Sequence, residues 1–409
     1  MRASRMRGRL QSVLIVSALI FLLGIPANVL AAASLGQWSP TTNYPLEVAG
    51  ESCFVYSNNV YCLGGFDAKG NDYDNAYYAP LSSSGIGAWT PTKPFPVAID
   101  SSSCVLWSAS VYCIGGENST SVMANVYDAP VTSGGIGDWS QAAAYPQTIA
   151  ATSCVAYLGY VYCIGGFDIT GDETASAYYA SVSSGLKSWT STTPYPFAIN
   201  SEGCMVQGGY LYCVAGNEES GLPQFPVSNV YYAKLSPSGI GSWTSTTQYP
   251  DALSTVSCVL NSGEVYCAGG FNLNQRSSDH VYAATVTGSG LSSWTNSTAY
   301  PIQFDVSSCV TDLSYMYCIA GRNFEGKLIT MVDSDYYAAL GSGTNTTAST
   351  TTSPSSVAST GNSTSSVTTS TSTTPEFNSG ALFLTTLVAI SAVSVLFRTR
   401  SDRRGARAR

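Results

Sequence analysis

The sequence predicts an all-β protein built as a closed ring of six four-stranded sheets, and three observations carry that prediction. Trp38, Trp89, Trp139, Trp189, Trp243 and Trp294 recur at spacings of 51, 50, 50, 54 and 51 residues. Each of the six units holds one pair of cysteines with eight residues between them. Short β-rich runs broken by turn glycines, with no helical periodicity, allot about four strands to each unit. A small sheet of this kind has an apolar face that only its neighbours can bury. A period near 50 residues is therefore what the blades of a β-propeller require.

The elements follow in chain order. Arg2, Arg5, Arg7 and Arg9 precede the apolar run 13–25, and Ala31, Ala32 and Ala33 follow it. These are the three parts of a secretory signal, so residues 1–33 are read as one, cleaved near Ala33. The competing reading, an uncleaved anchor, needs about 18 apolar residues, more than this run contains.

Residues 34–340 are the repeats. Each unit runs from Trp-Ser or Trp-Thr to a Pro after an aromatic residue, as in Tyr44-Pro45 and Phe95-Pro96. A strand with the first Cys comes next, then Val-Tyr-Cys-Ile-Gly-Gly or a close variant, a variable loop and a Tyr-Tyr-Ala strand. Tyr-Cys-Ile-Gly-Gly at 112–116 and 162–166, with the downstream Tyr pair and Trp, resembles the Kelch repeat and its strand-ending double glycine. The resemblance spans Trp38 to Leu340. It implies a six-bladed Kelch-like β-propeller in which the loops leaving each second strand open onto one face around a central channel. Ala215-Gly216 and Ala320-Gly321 depart from the double glycine, a mild change that keeps all six units. The cysteines are not part of the usual Kelch pattern. The Trp38 strand lacks a preceding Cys hairpin, and the strand at Tyr336 and Tyr337 lacks a following Trp. The first fragment is therefore expected to be the outer strand of the last blade, leaving no free edge.

The cysteine pairs are Cys53 with Cys62, Cys104 with Cys113, Cys154 with Cys163, Cys204 with Cys213, Cys258 with Cys267, and Cys309 with Cys318. A two-residue turn midway, at Ser57-Asn58 and its equivalents, puts each pair at a non-hydrogen-bonded site of a hairpin. There the Cα atoms approach to about 4.5 Å, within disulfide reach. Export to an oxidising compartment agrees. Metal binding is the rival reading, but the spacing is not CxxC and one histidine cannot complete six sites. Buried free thiols are the other alternative.

The whole chain carries 17 Lys and Arg against 25 Asp and Glu, and ten of those 17 lie in the first nine and last twelve residues. Residues 34–340 hold 7 basic and 23 acidic residues, a net −16. Nucleic-acid binding through phosphates is thereby disfavoured.

Residues 341–379 are mostly Ser, Thr, Ala and Gly, too poor in apolar residues to pack, and read as a glycosylatable stalk with a sorting motif. Residues 380–397 are eighteen without a charge, just long enough to span a bilayer, and the arginine-rich 398–409 favours a cytoplasmic tail. Pro375-Glu376-Phe377 followed by that apolar segment and the arginines resembles archaeal PEF-type surface-sorting signals, which are thought to be processed by a membrane sortase-like enzyme. Asn378 stands where such signals often carry Pro. A plain membrane anchor is the alternative, and either way the repeats are displayed on the extracellular face of the membrane.

His280 is the only histidine, which removes most imidazole chemistry and leaves it read as a loop-end side chain. Copper oxidases on Kelch-like propellers use histidine ligands this chain lacks. Arg276 and Arg322 are too few for the arginine triad of six-bladed sialidases. Carboxylates cluster in the variable loops: Asp67, Asp72 and Asp74; Asp168 and Asp172; Glu218 and Glu219. A paired-carboxylate hydrolase or lyase and calcium at 67–74 are both conceivable there, beside the plainer reading of solvated turn residues. With Phe225, Arg276 and Arg322 these loops form the candidate binding surface. The expected partner is a protein or a glycan, bound by a monomeric ectodomain without a cofactor, a metal or catalysis. A structural role in the cell envelope is a further alternative. Asn118, Asn296, Asn345 and Asn362 begin glycosylation sequons.

Overall fold

The computed structural model describes residues 34–218, 225–312, 314–326, 328–332 and 334–341. The signal segment, Glu219, Asn345, Asn362, the stalk beyond 341, the apolar segment 380–397 and the basic tail lie outside the described residues. Among the described residues no helix is long and apolar enough to cross a membrane. Their regular elements are strands.

The strands form antiparallel sheets of one recurring type, six of them among the described residues. In the first, Ser52–Tyr56 pairs with Asn59–Leu63, which pairs with Ala76–Ser82, which pairs with the short Thr90–Pro91. The second strand is the most apolar because both its faces are covered: Val60, Tyr61, Cys62 and Leu63 are all buried, as are Val161 to Ile164 in the third sheet. The first strands are innermost. Each lies beside the next around the ring, and Ser308–Asp312 lies beside Ser52–Tyr56. Serine hydroxyls knit them together: Cys104 N–H donates to Ser52 Oγ and Cys154 N–H to Ser103 Oγ, both at 3.0 Å, and Cys53 N–H to Ser308 Oγ at 3.1 Å.

The hairpin register agrees with the cysteine arithmetic. Tyr56 faces Asn59 across the turn Ser57-Asn58, whose φ angles of 50° and 59° are those of a tight hairpin turn. Cys53 then faces Cys62. All six expected disulfides are present, with Cα atoms 4.0 to 4.2 Å apart.

The double glycine ends each second strand for a steric reason. At Gly115, φ is +59° and a Cβ would lie 2.2 Å from the carbonyl oxygen of Ile149. Gly116 N–H donates to that same carbonyl at 2.8 Å, tying one sheet to the segment that enters the next. Ala215 and Ala320 keep the left-handed turn, with φ of 58° and 49°.

The tryptophans mark the joints between sheets. Trp89 meets Tyr44 edge-on at 5.0 Å, Trp139 meets Phe95 at 4.9 Å and Trp38 meets Tyr300 at 4.8 Å. The last contact belongs to the closure foreseen from the sequence. Ser39 and Pro40 pair with Tyr337 and Tyr336, making the N-terminal strand the outer strand of the last sheet. Gly36 N–H donates to Ala339 O at 2.8 Å and Trp38 Nε1 to Thr298 O at 3.0 Å.

Candidate functional site

Every inner strand begins, and every second strand ends, at the same end of its sheet, so the variable loops share one face with the segments entering the inner strands. The hairpin turns occupy the other face. At the rim of the loop face, Gly50, Ser101, Ala151, Ser201, Thr255 and Val306 occupy equivalent positions, and all six are left-handed, with φ between 50° and 73°. Five of their N–H groups donate to the carbonyl of the neighbour in the previous sheet. Ser101 donates to Gly50 O at 2.9 Å, Ala151 to Ser101 O at 2.9 Å, Ser201 to Ala151 O at 3.1 Å and Thr255 to Ser201 O at 3.0 Å. Gly50 donates to Val306 O at 3.0 Å, joining the first sheet to the last. β-Branched residues rarely hold this backbone, so the rim is strained at Thr255 and Val306.

Buried carboxyls stand around this rim. Glu51, Asp100, Glu117, Glu173, Glu202 and Asp305 are all buried. Burial raises Glu51 well above the ordinary carboxyl range, with Asp335 adding to the effect. Burial likewise raises Asp100, reinforced by Glu117 and by a side-chain hydrogen bond with Asp72. Glu202 is raised by burial, opposed by its own backbone N–H and reinforced by Glu173. Glu173 Oε1 accepts from Asn200 Nδ2 at 2.7 Å. No group of three or more metal-ligating side chains occurs among the described residues.

The residues singled out from sequence divide between two tasks. Asp67 caps its own loop, accepting N–H groups of Lys69 and Asn71 at 2.9 Å and the Tyr73 hydroxyl at 3.2 Å. Burial opposes its ionisation, but these bonds outweigh it and lower its pKa. Asp168 accepts Thr170 N–H at 2.8 Å, and Asp172 accepts the Thr170 hydroxyl at 2.8 Å. Asp74 is exposed and its carbonyl accepts Phe95 N–H at 2.8 Å. These acids build loops. Asp72 instead bridges sheets, accepting Ser119 N–H at 2.6 Å, and Arg322 grips Asp305 at 3.0 Å within the sixth unit. Arg276 Nη1 lies 4.0 Å from Glu325, both exposed, and Glu218 pairs with Phe225 in a small sheet.

The sequence alone did not reveal the cleft at His280. Its Nδ1 lies 2.7 Å from Asp251 Oδ2, which also accepts the Tyr282 hydroxyl at 2.9 Å. The three groups sit 29 and 2 residues apart in sequence, and only the fold unites them. Of the two described sequons, Asn118 Nδ2 donates to Ala98 O at 3.2 Å, whereas Asn296 is exposed on an outer strand.

No family model matches the chain, and no curated protein matches it. Solved structures do. One, "Structure of YjhT", is similar with a TM-score of 0.59 and 12% identity, covering 71% of this chain and 95% of that one. At that identity the likeness concerns the fold alone, and together with the sheets described above it defines a β-propeller-like protein.

Proposed function

We propose that this is an exported protein, anchored on the extracellular face of the membrane, whose loop face binds a protein partner or a glycan without catalysing a reaction. One observation carries the reading most. Five large apolar side chains are exposed among the described residues, and four of them, Ile169, Phe225, Leu273 and Leu328, stand on loops of this one face. Only Leu158 lies at a hairpin turn on the other. Apolar tips on loops held by a rigid ring suit recognition, because binding residues are disproportionately placed on such loops. The Kelch-like repeat pattern supports the same use of these loops. Six disulfides fit the oxidising space that a signal segment and a stalk would lead to.

The test compares two variants in capture of glycan arrays and surface-exposed proteins. Replacing Ile169, Phe225, Leu273 and Leu328 by Asp is expected to abolish capture, and Leu158→Asp to leave it intact. Capture lost with Leu158→Asp alone would sink the reading. A second reading, a carbohydrate-active hydrolase, draws on Asp100, whose carboxyl is raised by burial and then by the neighbouring Glu117, with Asp72 hydrogen-bonded to it. Glycan cleavage lost in Asp100→Asn would favour it.

A further inference from the structure

The six units alternate. In the first, third and fifth sheets the residue after the double glycine is Phe66, Phe167 or Phe271, facing Ala49, Ala150 or Ser254. In the other three the same positions hold Glu117 facing Asp100, Asn217 facing Asn200, and Arg322 facing Asp305. The loops alternate with them. Asp67 Oδ1 accepts the N–H groups of Lys69 and Asn71, Asp168 Oδ1 those of Thr170 and Asp172, and Asn272 Oδ1 those of Asn274 and Arg276. In each the first residue also donates its own N–H to the carbonyl four residues on. The Asn118 loop of the second sheet is one residue shorter and closes differently, on Thr120 and Ser121. One five-residue loop thus recurs on every second sheet, three times around the ring.

Clefts lie at equivalent places beside two of these loops. One of about 430 Å³ opens between Pro45 to Val48 and the Asp67 loop, with Tyr73 in its wall. Another of about 290 Å³ opens between Asp251 to Leu253 and the Asn272 loop, with His280 in its wall. The third sheet brings the same two segments together, Ile169 N–H donating to Thr148 Oγ1 at 3.3 Å. At each loop tip stands one exposed aliphatic residue, Ala68, Ile169 or Leu273, beside carboxylate, carboxamide and hydroxyl groups. Such a mixture hydrogen-bonds hydroxyls and packs against a C–H face. The volumes sit at the small end of ligand sites.

We infer that the loop face carries three equivalent saccharide subsites, one on each of the first, third and fifth sheets, and holds a glycan of repeating neutral residues at more than one of them. The inference rests on the loop face being the binding surface. A repeated site gains from a repeated ligand because the second contact is intramolecular, raising avidity by about 10² to 10⁴ without any new contact.

The experiment titrates the full chain in detergent with free galactose, mannose and N-acetylglucosamine, then with the same sugars on a polyacrylamide backbone. Weak binding of one free sugar at more than one site per chain is expected, with the conjugate tighter by about 10² or more. Ala68→Asp, Ile169→Asp and Leu273→Asp alter exposed tips, so melting temperatures should hold while each variant removes one site. The triple variant should lose the avidity. A single site per chain, sensitive to only one tip, overturns the threefold arrangement. No binding of any of the three sugars in either form overturns the saccharide assignment. In both cases the comparison of the four-residue loop variant with Leu158→Asp still decides separately whether the loop face binds at all.

Discussion

Arg322 holds Asp305 by two contacts, Nε to Oδ1 at 3.0 Å and Nη2 to Oδ2 at 3.3 Å, at the two positions that Phe167 and Ala150 occupy in the third sheet. Asp305 is wholly buried. Removing one partner of such a pair strands a charge out of water, so Arg322→Ala should cost about 3 to 5 kcal/mol. Asp305→Ala with Arg322→Phe installs the apolar pairing of the alternate sheets and should recover most of that loss. Urea unfolding of the single and double variants measures both. A double variant no more stable than Arg322→Ala would show that the alternate positions are not interchangeable.

Stability should rise as pH falls toward the unfolded carboxyl range. Burial raises Glu51, Asp100 and Glu202 above their ordinary values in the folded chain, so the folded state binds more protons than the unfolded one between the two values. The stabilisation from these groups is fully present below the unfolded pKa, about 4 for such carboxyls, and is lost as pH rises through the folded values. Melting temperatures should therefore be higher at about pH 5 than at about pH 8. Glu202→Gln, which removes a buried carboxylate, should raise the melting temperature at the higher pH and flatten the profile. Melting temperatures that climb with pH would contradict this account.

Two backbone substitutions should move stability in opposite directions. Gly115→Ala places a methyl 2.2 Å from a carbonyl oxygen that cannot move without shifting the next sheet, and should destabilise by more than about 2 kcal/mol. Val306→Gly relieves a β-branched side chain from a left-handed backbone, a strain of about 1 to 2 kcal/mol that the glycine's extra chain entropy only partly offsets. It should be neutral or stabilising. Thermal melts of the two variants side by side settle the sign of each.

The disulfides are local staples, each closing a nine-residue separation within one hairpin. Cys104→Ser with Cys113→Ser should cost about 2 to 3 kcal/mol in chemical denaturation, and the loss should be similar at each of the other five hairpins. Non-reducing peptide mapping should find no bridge between sheets. Because no staple crosses a joint, the Trp38 strand is held to the last sheet without covalent help, and Trp38→Ala should loosen that joint in hydrogen exchange before the hairpins open.

Much of the fold was legible because its determinants are local. Turn position, the two-residue period and an eight-residue gap place Cys53 opposite Cys62 without reference to anything distant. The missing outer strand of the last unit pointed to Trp38 for the same reason, since an unpaired edge needs a partner. The site was less legible. The variable loops stand out in the sequence as the part that differs between units, yet the acids within them have unlike roles, Asp67 closing a loop and Asp72 reaching the next sheet. The Phe66, Phe167 and Phe271 series is present in the repeats themselves, as an alternation between odd and even units.

The sequence by itself determined the all-β architecture, the hairpin register and the six bridges, because strand periodicity, turn chemistry and cysteine spacing act over ten residues or fewer, and it determined the closure because the repeat leaves one unit short of the strand that Trp38 supplies. Only the tertiary structure decided which side chains meet. Glu117 faces Asp100 while Arg322 faces Asp305, His280 finds Asp251, and the left-handed rim runs from Gly50 to Val306. Those contacts join residues 17 or more apart in the chain, beyond the reach of turn and strand periodicity, and the rim exists only once each sheet is set against the next.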